Sequence, residues 1–392
     1  MSRRSWGVLG ALLAGCTSGA PRYLWFPHPQ VQSITAPLTL RVVPYRAFSM
    51  PAPPPTVSVC AGGDVMLGSN LDTAWARAAQ PLAGSPTLLP DPDMLLAPLR
   101  PLVADADVVL INVEGAIGLG ATTRKCRRGS SRCYAFRQDP AAAGAIRRLA
   151  SHAQVVGNVA NNHAMDAGAA GFRETVEHLA TAGVFVVGGD TMPTVVPLAD
   201  GDSLALLGFS VFSAGPDARD LAAVARHVAR AAAAYARVVV SLHVGAEGVG
   251  AQRTPNATEQ FAGENRGNPV AIARTAIEAG ADLVIGHGPH VLRAIEWRDD
   301  RLISYSLGNL LTYGPFSRVP PLDRGAILCA VLDSQGRVLQ ADLRATRQLP
   351  PGLALPDPEH MAYDIIDSLG MLDFPLTGAR VRAGMLRQPT RY

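Results

Sequence analysis

The chain has 392 residues, 48% hydrophobic and 17% charged, enough apolar material for one large or two small domains at roughly 150 residues each. That composition excludes a disordered, collagen-like or disulfide-dense chain. Thirty-five basic residues against 32 acidic leave a formal charge of +3, too little over this length to imply nucleic-acid binding.

Residues 1–16 read as an export address. Arg3 and Arg4 precede a short apolar run, Trp6 to Leu13, and small residues then lead to a cysteine in Leu13-Ala14-Gly15-Cys16. The run is far short of the ~20 residues a membrane-spanning helix needs. Its ending resembles a bacterial lipobox, which implies lipidation at Cys16 and anchoring on the periplasmic or extracellular side. Residues 17–56 are rich in proline, including Pro53-Pro54-Pro55, and read as an extended tether.

From Val57 the texture changes. Strand-like runs are predicted at Val57 to Ala61, Val108 to Asn112, Gln154 to Asn158, Val184 to Val187, Leu204 to Phe209, Val238 to Leu242, Leu283 to Ile285 and Leu302 to Tyr305. Ala-rich stretches between them predict helices over Pro140 to Leu149, Gly171 to Ala182, Asp217 to Ala236 and Pro269 to Ala279. Strand, helix and strand in succession predict an α/β domain over 57–346 with much parallel pairing. Residues 347–392 read as a small carboxy-terminal appendage with one helix over Pro358 to Leu369. An exported chain sits where disulfides form, and Cys126 and Cys133 bracket a short polar loop that a disulfide could close. Cys60 and Cys329 lie in apolar runs and are read as buried, unpaired thiols.

The chemistry is concentrated at strand ends. Val57 to Ala61 leads to Asp64, Val108 to Ile111 to Asn112 and Glu114, and Val155 to Gly157 to Asn161-Asn162-His163 and Asp166. Val238 to Leu242 leads to His243 and Glu247, Leu283 to Gly286 to His287 and His290, and Ile303 to Leu307 to Asn309. Ligands of open α/β sheets bind at the carboxyl ends of strands, so six such ends predict one convergent site. Carboxylate, amide oxygen and imidazole suit a divalent Mn, Zn or Fe ion rather than a thiolate-bound metal. No phosphate-binding Gly-rich loop and no Gly-x-Ser-x-Gly elbow occurs, which argues against a P-loop enzyme or a serine hydrolase.

Six ordered motifs carry a resemblance. They are Gly63-Asp64-Val65-Met66-Leu67-Gly68, Asn112-Val113-Glu114-Gly115, and Ala160-Asn161-Asn162-His163-Ala164-Met165-Asp166. His243-Val244-Gly245-Ala246-Glu247-Gly248, Gly286-His287-Gly288-Pro289-His290 and Tyr305-Ser306-Leu307-Gly308-Asn309 complete the set. Together they resemble the CapA family of bacterial capsule poly-γ-glutamate synthesis proteins, whose domain is related to the calcineurin-like metallophosphoesterases. The resemblance implies a metallophosphatase sandwich of two sheets flanked by helices, with one or two divalent ions at the strand ends. It implies Asp64 as a metal ligand, Glu114 in the place of a bridging carboxylate, the Asn162 amide oxygen, and imidazoles from His243, His287 and His290. His163 would hydrogen-bond the leaving group, and Glu247 would stand behind the ligands or face the substrate. Two departures bear on the ion count: Met66 replaces the expected His, and His287 and His290 are separated by two residues instead of one. Asp282 and Glu296, near the last histidines, are read as structural acids.

The implied function is that of a surface lipoprotein in capsule biosynthesis, hydrolysing or transferring an anionic polymer or a phosphoester. The alternative is a non-catalytic accessory subunit of a capsule synthesis or export complex. Membrane proteins of that complex are the expected partners in either case. A basic loop fits an anionic substrate. Arg124, Lys125, Arg127, Arg128, Arg132 and Arg137 fall in a stretch without an acidic residue, and the rest of the chain is net negative by three. Arg124, Lys125, Arg127 and Arg128 are therefore candidate substrate-binding residues. Lys125 is the only lysine in the chain; the other 34 basic residues are arginine, as codon bias in a GC-rich genome would produce.

Overall fold

The computed structural model describes residues 55–69, 91–120, 125–126, 133–212 and 215–389. The signal segment with Cys16, nearly all of the tether, and Arg124, Arg127 and Arg128 lie outside the described residues. In chain order the strands are β1 (Val57–Met66), β2 (Val108–Val113), β3 (Ala116–Ile117), β4 (Arg137–Gln138), β5 (Gln154–Asn158), β6 (Phe185–Val187), β7 (Thr194–Pro197), β8 (Ser203–Ser210), β9 (Arg237–His243) and β10 (Gln260–Phe261). They continue as β11 (Glu264–Asn265), β12 (Leu283–His287), β13 (Ile295–Arg298), β14 (Arg301–Ser304), β15 (Asn309–Thr312), β16 (Arg324–Leu332), β17 (Val338–Leu349), β18 (Leu353–Pro356), β19 (Arg380–Arg382) and β20 (Met385–Arg387). The helices are α1 (Pro92–Leu96), α2 (Ala141–Arg147), α3 (Gly168–Thr181), α4 (Leu221–Ala234), α5 (Pro269–Glu278) and α6 (Met361–Asp373).

Two sheets pack face to face. One runs β19-β20-β17-β16-β1-β2-β5-β6, with β15 on β1 and β18 on β17; the other runs β13-β14-β12-β9-β8-β7. Alternation along the strands explains the layering, because successive side chains point to opposite faces. Val57, Val59 and Ala61 of β1 join Leu206, Val239 and Ile285 in a core between the sheets. Cys60 points the other way and packs with Val109, Val155 and Ile146 under α2. On the far face of the second sheet, Val238, Val240 and Val284 pack against Val224 and Val228 of α4 and Ala273 of α5. The result is the expected two-sheet sandwich flanked by helices. Local signals set the helix starts: Asp220 accepts the Ala223 N–H, so α4 begins at Leu221 and not at Asp217, and Asn268 caps α5 ahead of Pro269.

Of the appendage, residues 347–389 continue the first sheet: β17 extends to Leu349, β18 and β20 pair with it, and α6 supplies Ala362 and Ile366 to the inter-sheet core. Glu296 and Asp282 occupy structural positions. The buried Glu296 accepts from Tyr305 Oη at 2.7 Å, Arg274 at 2.8 Å and Thr377 at 2.8 Å, while Asp282 Oδ2 accepts the Val238 N–H at 2.8 Å.

Cys60 and Cys329 are not unpaired. They lie directly opposite each other on antiparallel β1 and β16, and their sulfurs form a disulfide. Cys126 and Cys133 form a second disulfide. The Cys60–Cys329 bond closes a loop of 269 residues, and such cross-links stabilise by about 2–4 kcal/mol. Replacing both cysteines by alanine should lower the unfolding free energy of the full chain by that amount in urea titrations; an unchanged midpoint would contradict the bond.

Candidate metal centre

Register brings the strand-end residues together. Parallel pairing sets Asp64 beside Asn112 and Asn112 beside Asn158, while His287 lies beside His243 in the second sheet. A shift of register after Ala61 turns the end of β1, and Gly63 allows β15 to approach: a Cβ there would lie 1.9 Å from the Gly308 carbonyl oxygen. Asn112 is the hub. Its amide nitrogen donates to Asp64 Oδ1 at 2.8 Å and lies 3.2 Å from His243 Nδ1; its oxygen accepts from Asn158 at 3.0 Å and Asn161 at 3.1 Å.

Around this hub, His290 Nδ1 lies 2.9 Å from Asp64 Oδ2, and its Nε2 lies 3.6 Å from Glu114 Oε1 and 3.9 Å from Glu247 Oε2. His287 Nδ1 is 3.8 Å from Asp64 Oδ1, and His243 Nε2 is 3.9 Å from Glu114 Oε1. Asp64, Glu114 and His290 each place a ligand atom within 4.8 Å of the others. His290 reaches this position with a φ of 58°, in the left-handed region.

The donor set fits a cation. Around Asp64, Glu114 Oε1, His243 Nε2 and both ring nitrogens of His287 are buried without a hydrogen-bond partner, and so is Asn162 Oδ1. Leaving a buried polar group unpartnered costs about 1–3 kcal/mol, so such a cluster calls for a ligand. Burial acts first on Asp64 and pushes its carboxyl up, but His290, His243 and His287 outweigh this and hold it well below the ordinary range. Burial, then the negative charges of Asp64 and Glu247, push Glu114 well above it. Burial draws His243 far down and His287 to about 4, so both are neutral at pH 7 and can offer a lone pair. Burial opposes the charge on His290 as well, but Glu114, Asp64 and Glu247 prevail and raise it well above 6.5. The carboxylates around His290 thus draw positive charge to this point, which a bound cation would also supply.

Beside this cluster His163 Nδ1 meets Asp166 Oδ2 at 2.7 Å, and Phe136 N–H donates to the same oxygen at 2.7 Å. Burial outweighs Asp166 and keeps His163 below 6.5. A cleft of about 290 Å³ opens over His163, Glu114, Glu247 and His290, with Met66, Phe136 and Phe261 on its walls. Met66 is fully buried, and its sulfur accepts the Gly68 N–H at 3.0 Å.

Among the other candidates, Glu247 is ion-paired to Arg266, whose guanidinium lies 4.7 Å from the Phe212 ring centre and 5.1 Å from that of Phe261. Lys125 does not line the cleft: its ammonium lies 2.8 Å from Asp166 Oδ1 and donates to the Asn162 carbonyl at 2.8 Å. Sequence reasoning missed the role of Arg266, which no motif or spacing marks. The three-residue spacing of His163 and Asp166 was a usable signal for their pairing.

Comparisons with known proteins agree with the motifs. Over 170 residues the chain is 31% identical to the PGA biosynthesis protein CapA of Bacillus subtilis, covering 39% of this chain and 41% of that protein. Over 174 residues it is 29% identical to the capsule biosynthesis protein CapA of Bacillus anthracis, covering 39% of each. The chain thus spans about two fifths of the length of the curated relatives it matches. A 5′-nucleotidase precursor from Thermus thermophilus aligns with 82% of this chain and 59% of its own, at 14% identity and a TM-score of 0.37. Residues 58–313, well over half of the sequence, match the family described as bacterial capsule synthesis protein PGA_cap, and the chain belongs to that family.

Proposed function

We propose that this protein is a metal-dependent hydrolase or transferase of capsule biosynthesis, acting at the cell surface on an anionic polymer or a phosphoester. The observation that carries the reading is the cluster of buried, unpartnered ligand atoms on Glu114, His243 and His287 around Asp64, beside an oriented His163–Asp166 pair. The capsule context rests on the family, and the membrane anchor on the lipobox-like Leu13-Ala14-Gly15-Cys16. Asp64, Glu114, Asn162, His243, His287 and His290 would hold the divalent metal. When bound, such an ion polarises a phosphoryl or carbonyl oxygen and acidifies water.

The remaining chemistry belongs to the chain. Asp166 accepts the Nδ1 proton of His163, which leaves Nε2 as the nitrogen that exchanges a proton with a reacting group. Arg266 holds Glu247 at the cleft, where the carboxylate can orient a substrate donor. Phe136, 4.2 Å from the His163 ring centre to centre, shields the imidazole from water.

The test is turnover of phosphodiesters and of γ-glutamyl polymer by the full chain with Mn²⁺, alongside His163→Ala. General acid–base catalysis is worth about 10²–10⁴-fold, so the variant should lose at least a hundredfold in kcat. Turnover that His163→Ala leaves unchanged would overturn the enzymatic reading. One observation favours the second reading, a non-catalytic subunit partnered with membrane proteins of capsule synthesis or export. Met66, fully buried, stands where the resemblance expects a metal-binding His.

A further inference from the structure

In a chain whose other 34 basic residues are arginine, the one lysine stands at the candidate catalytic histidine. Lys125 Nζ lies 2.8 Å from Asp166 Oδ1, 2.8 Å from the Asn162 carbonyl oxygen and 3.4 Å from His163 Nδ1. Asp166 is fully buried, and its other oxygen is already taken by His163 and by the Phe136 N–H. The carboxylate is therefore gripped from both ends of one short segment, by Lys125 at its start and Phe136 at its close. The Cys126–Cys133 disulfide joins those ends. Phe136 also packs on the His163 ring. A compact ammonium with three donors can serve two oxygens at 2.8 Å at once, whereas the planar fork of arginine is wider and fixed in shape.

We propose that Lys125 is a positioning residue for His163. Its ammonium, together with the Phe136 N–H, locks the Asp166 carboxylate, and through that carboxylate the imidazole; the same ammonium holds the Asn162 main chain. This departs from a substrate-binding role for Lys125, because the ammonium is turned to the protein and not to the cleft. It rests on the hydrolase reading only for its kinetic consequence; the geometry it asserts can be read without turnover.

The experiment uses the full chain with ¹⁵N-labelled histidine and compares wild type with Lys125→Met, assigning the His163 signals by their loss in His163→Ala. Wild type should show the Nδ1–H tautomer of His163, and Lys125→Met a mixture of tautomers. In the phosphodiester assay kcat should fall about 10–100-fold, the usual effect of losing a partner behind a functional ligand, with KM changing less than about threefold. Unchanged spectra would overturn the proposal whatever the kinetics. So would a rise in KM at constant kcat, which would make Lys125 a substrate contact. If wild type turns over no substrate, the hydrolase reading falls and the spectra alone decide Lys125. Should Lys125→Met fail to fold, acetic anhydride on the folded wild type replaces it: Lys125 is the only side-chain amine and is 36% exposed. The acetylated protein should show the same mixed tautomers, and an unshifted spectrum would overturn the proposal.

Discussion

Asp64→Asn should abolish stabilisation of the full chain by divalent metal. A ligand present at about a hundred times its Kd and bound only by the folded state raises the unfolding free energy by about 2.7 kcal/mol, so wild type should gain this in Mn²⁺ or Zn²⁺. Asp64 lies at the centre of the cluster, contacting His290 at 2.9 Å, His287 at 3.8 Å and Asn112 at 2.8 Å. Asparagine keeps the shape and can still accept the Asn112 hydrogen bond. It removes the charge that a cation needs beside Glu114. Loss of a partner behind a ligand already costs about 10–100-fold in metal affinity, so loss of a charged ligand should cost more than that. The variant should therefore unfold at the same denaturant concentration with and without metal. A metal-induced shift equal to that of wild type would place the ion elsewhere.

The second large effect concerns the loop that carries Glu247. Arg293 is fully buried, and its guanidinium donates to both oxygens of Glu259 at 2.8 Å and to the Ala251 carbonyl at 2.7 Å. Glu259 in turn accepts the Ala246 N–H at 2.6 Å, next to Glu247. Removing one partner of a buried ion pair leaves an uncompensated charge and costs about 3–5 kcal/mol, whereas replacing both by apolar residues of similar volume is often neutral. Arg293→Met should thus destabilise by about 3–5 kcal/mol. Arg293→Met with Glu259→Met should recover most of that loss in urea titrations. A single variant that costs less than about 1 kcal/mol, the scale of an exposed pair, would show that the pair is solvated.

Much of the site was legible in the sequence because strand ends announce themselves. An apolar run such as Val238 to Leu242 followed at once by His243 marks both a strand and the edge where ligands gather. Six such ends in order named Asp64, Glu114, His243, His287 and His290, which the sheets bring together. What was not legible depends on pairing across the fold. Cys60 and Cys329 are 269 residues apart, and only the antiparallel insertion of β16 beside β1 sets them opposite each other. Arg266 and Arg293 look like any surface arginine in the sequence, and their burial follows from loops folding over them. The net charge of the 124–137 stretch pointed outward to an anion, yet Lys125 is turned inward to Asp166. Charge counts do not contain direction. The continuation of the first sheet by β18 and β20 was hidden by short strands among prolines.

Whether the cluster holds a metal can be measured on the full chain by elemental analysis after equilibration with Mn²⁺, Zn²⁺ or Fe²⁺ and removal of free ion. The wild-type chain should retain at least one ion per molecule and Asp64→Asn less than about a tenth of that, in keeping with the loss of affinity expected of a ligand. Retention no greater in wild type than in Asp64→Asn would contradict a metal centre at these strand ends.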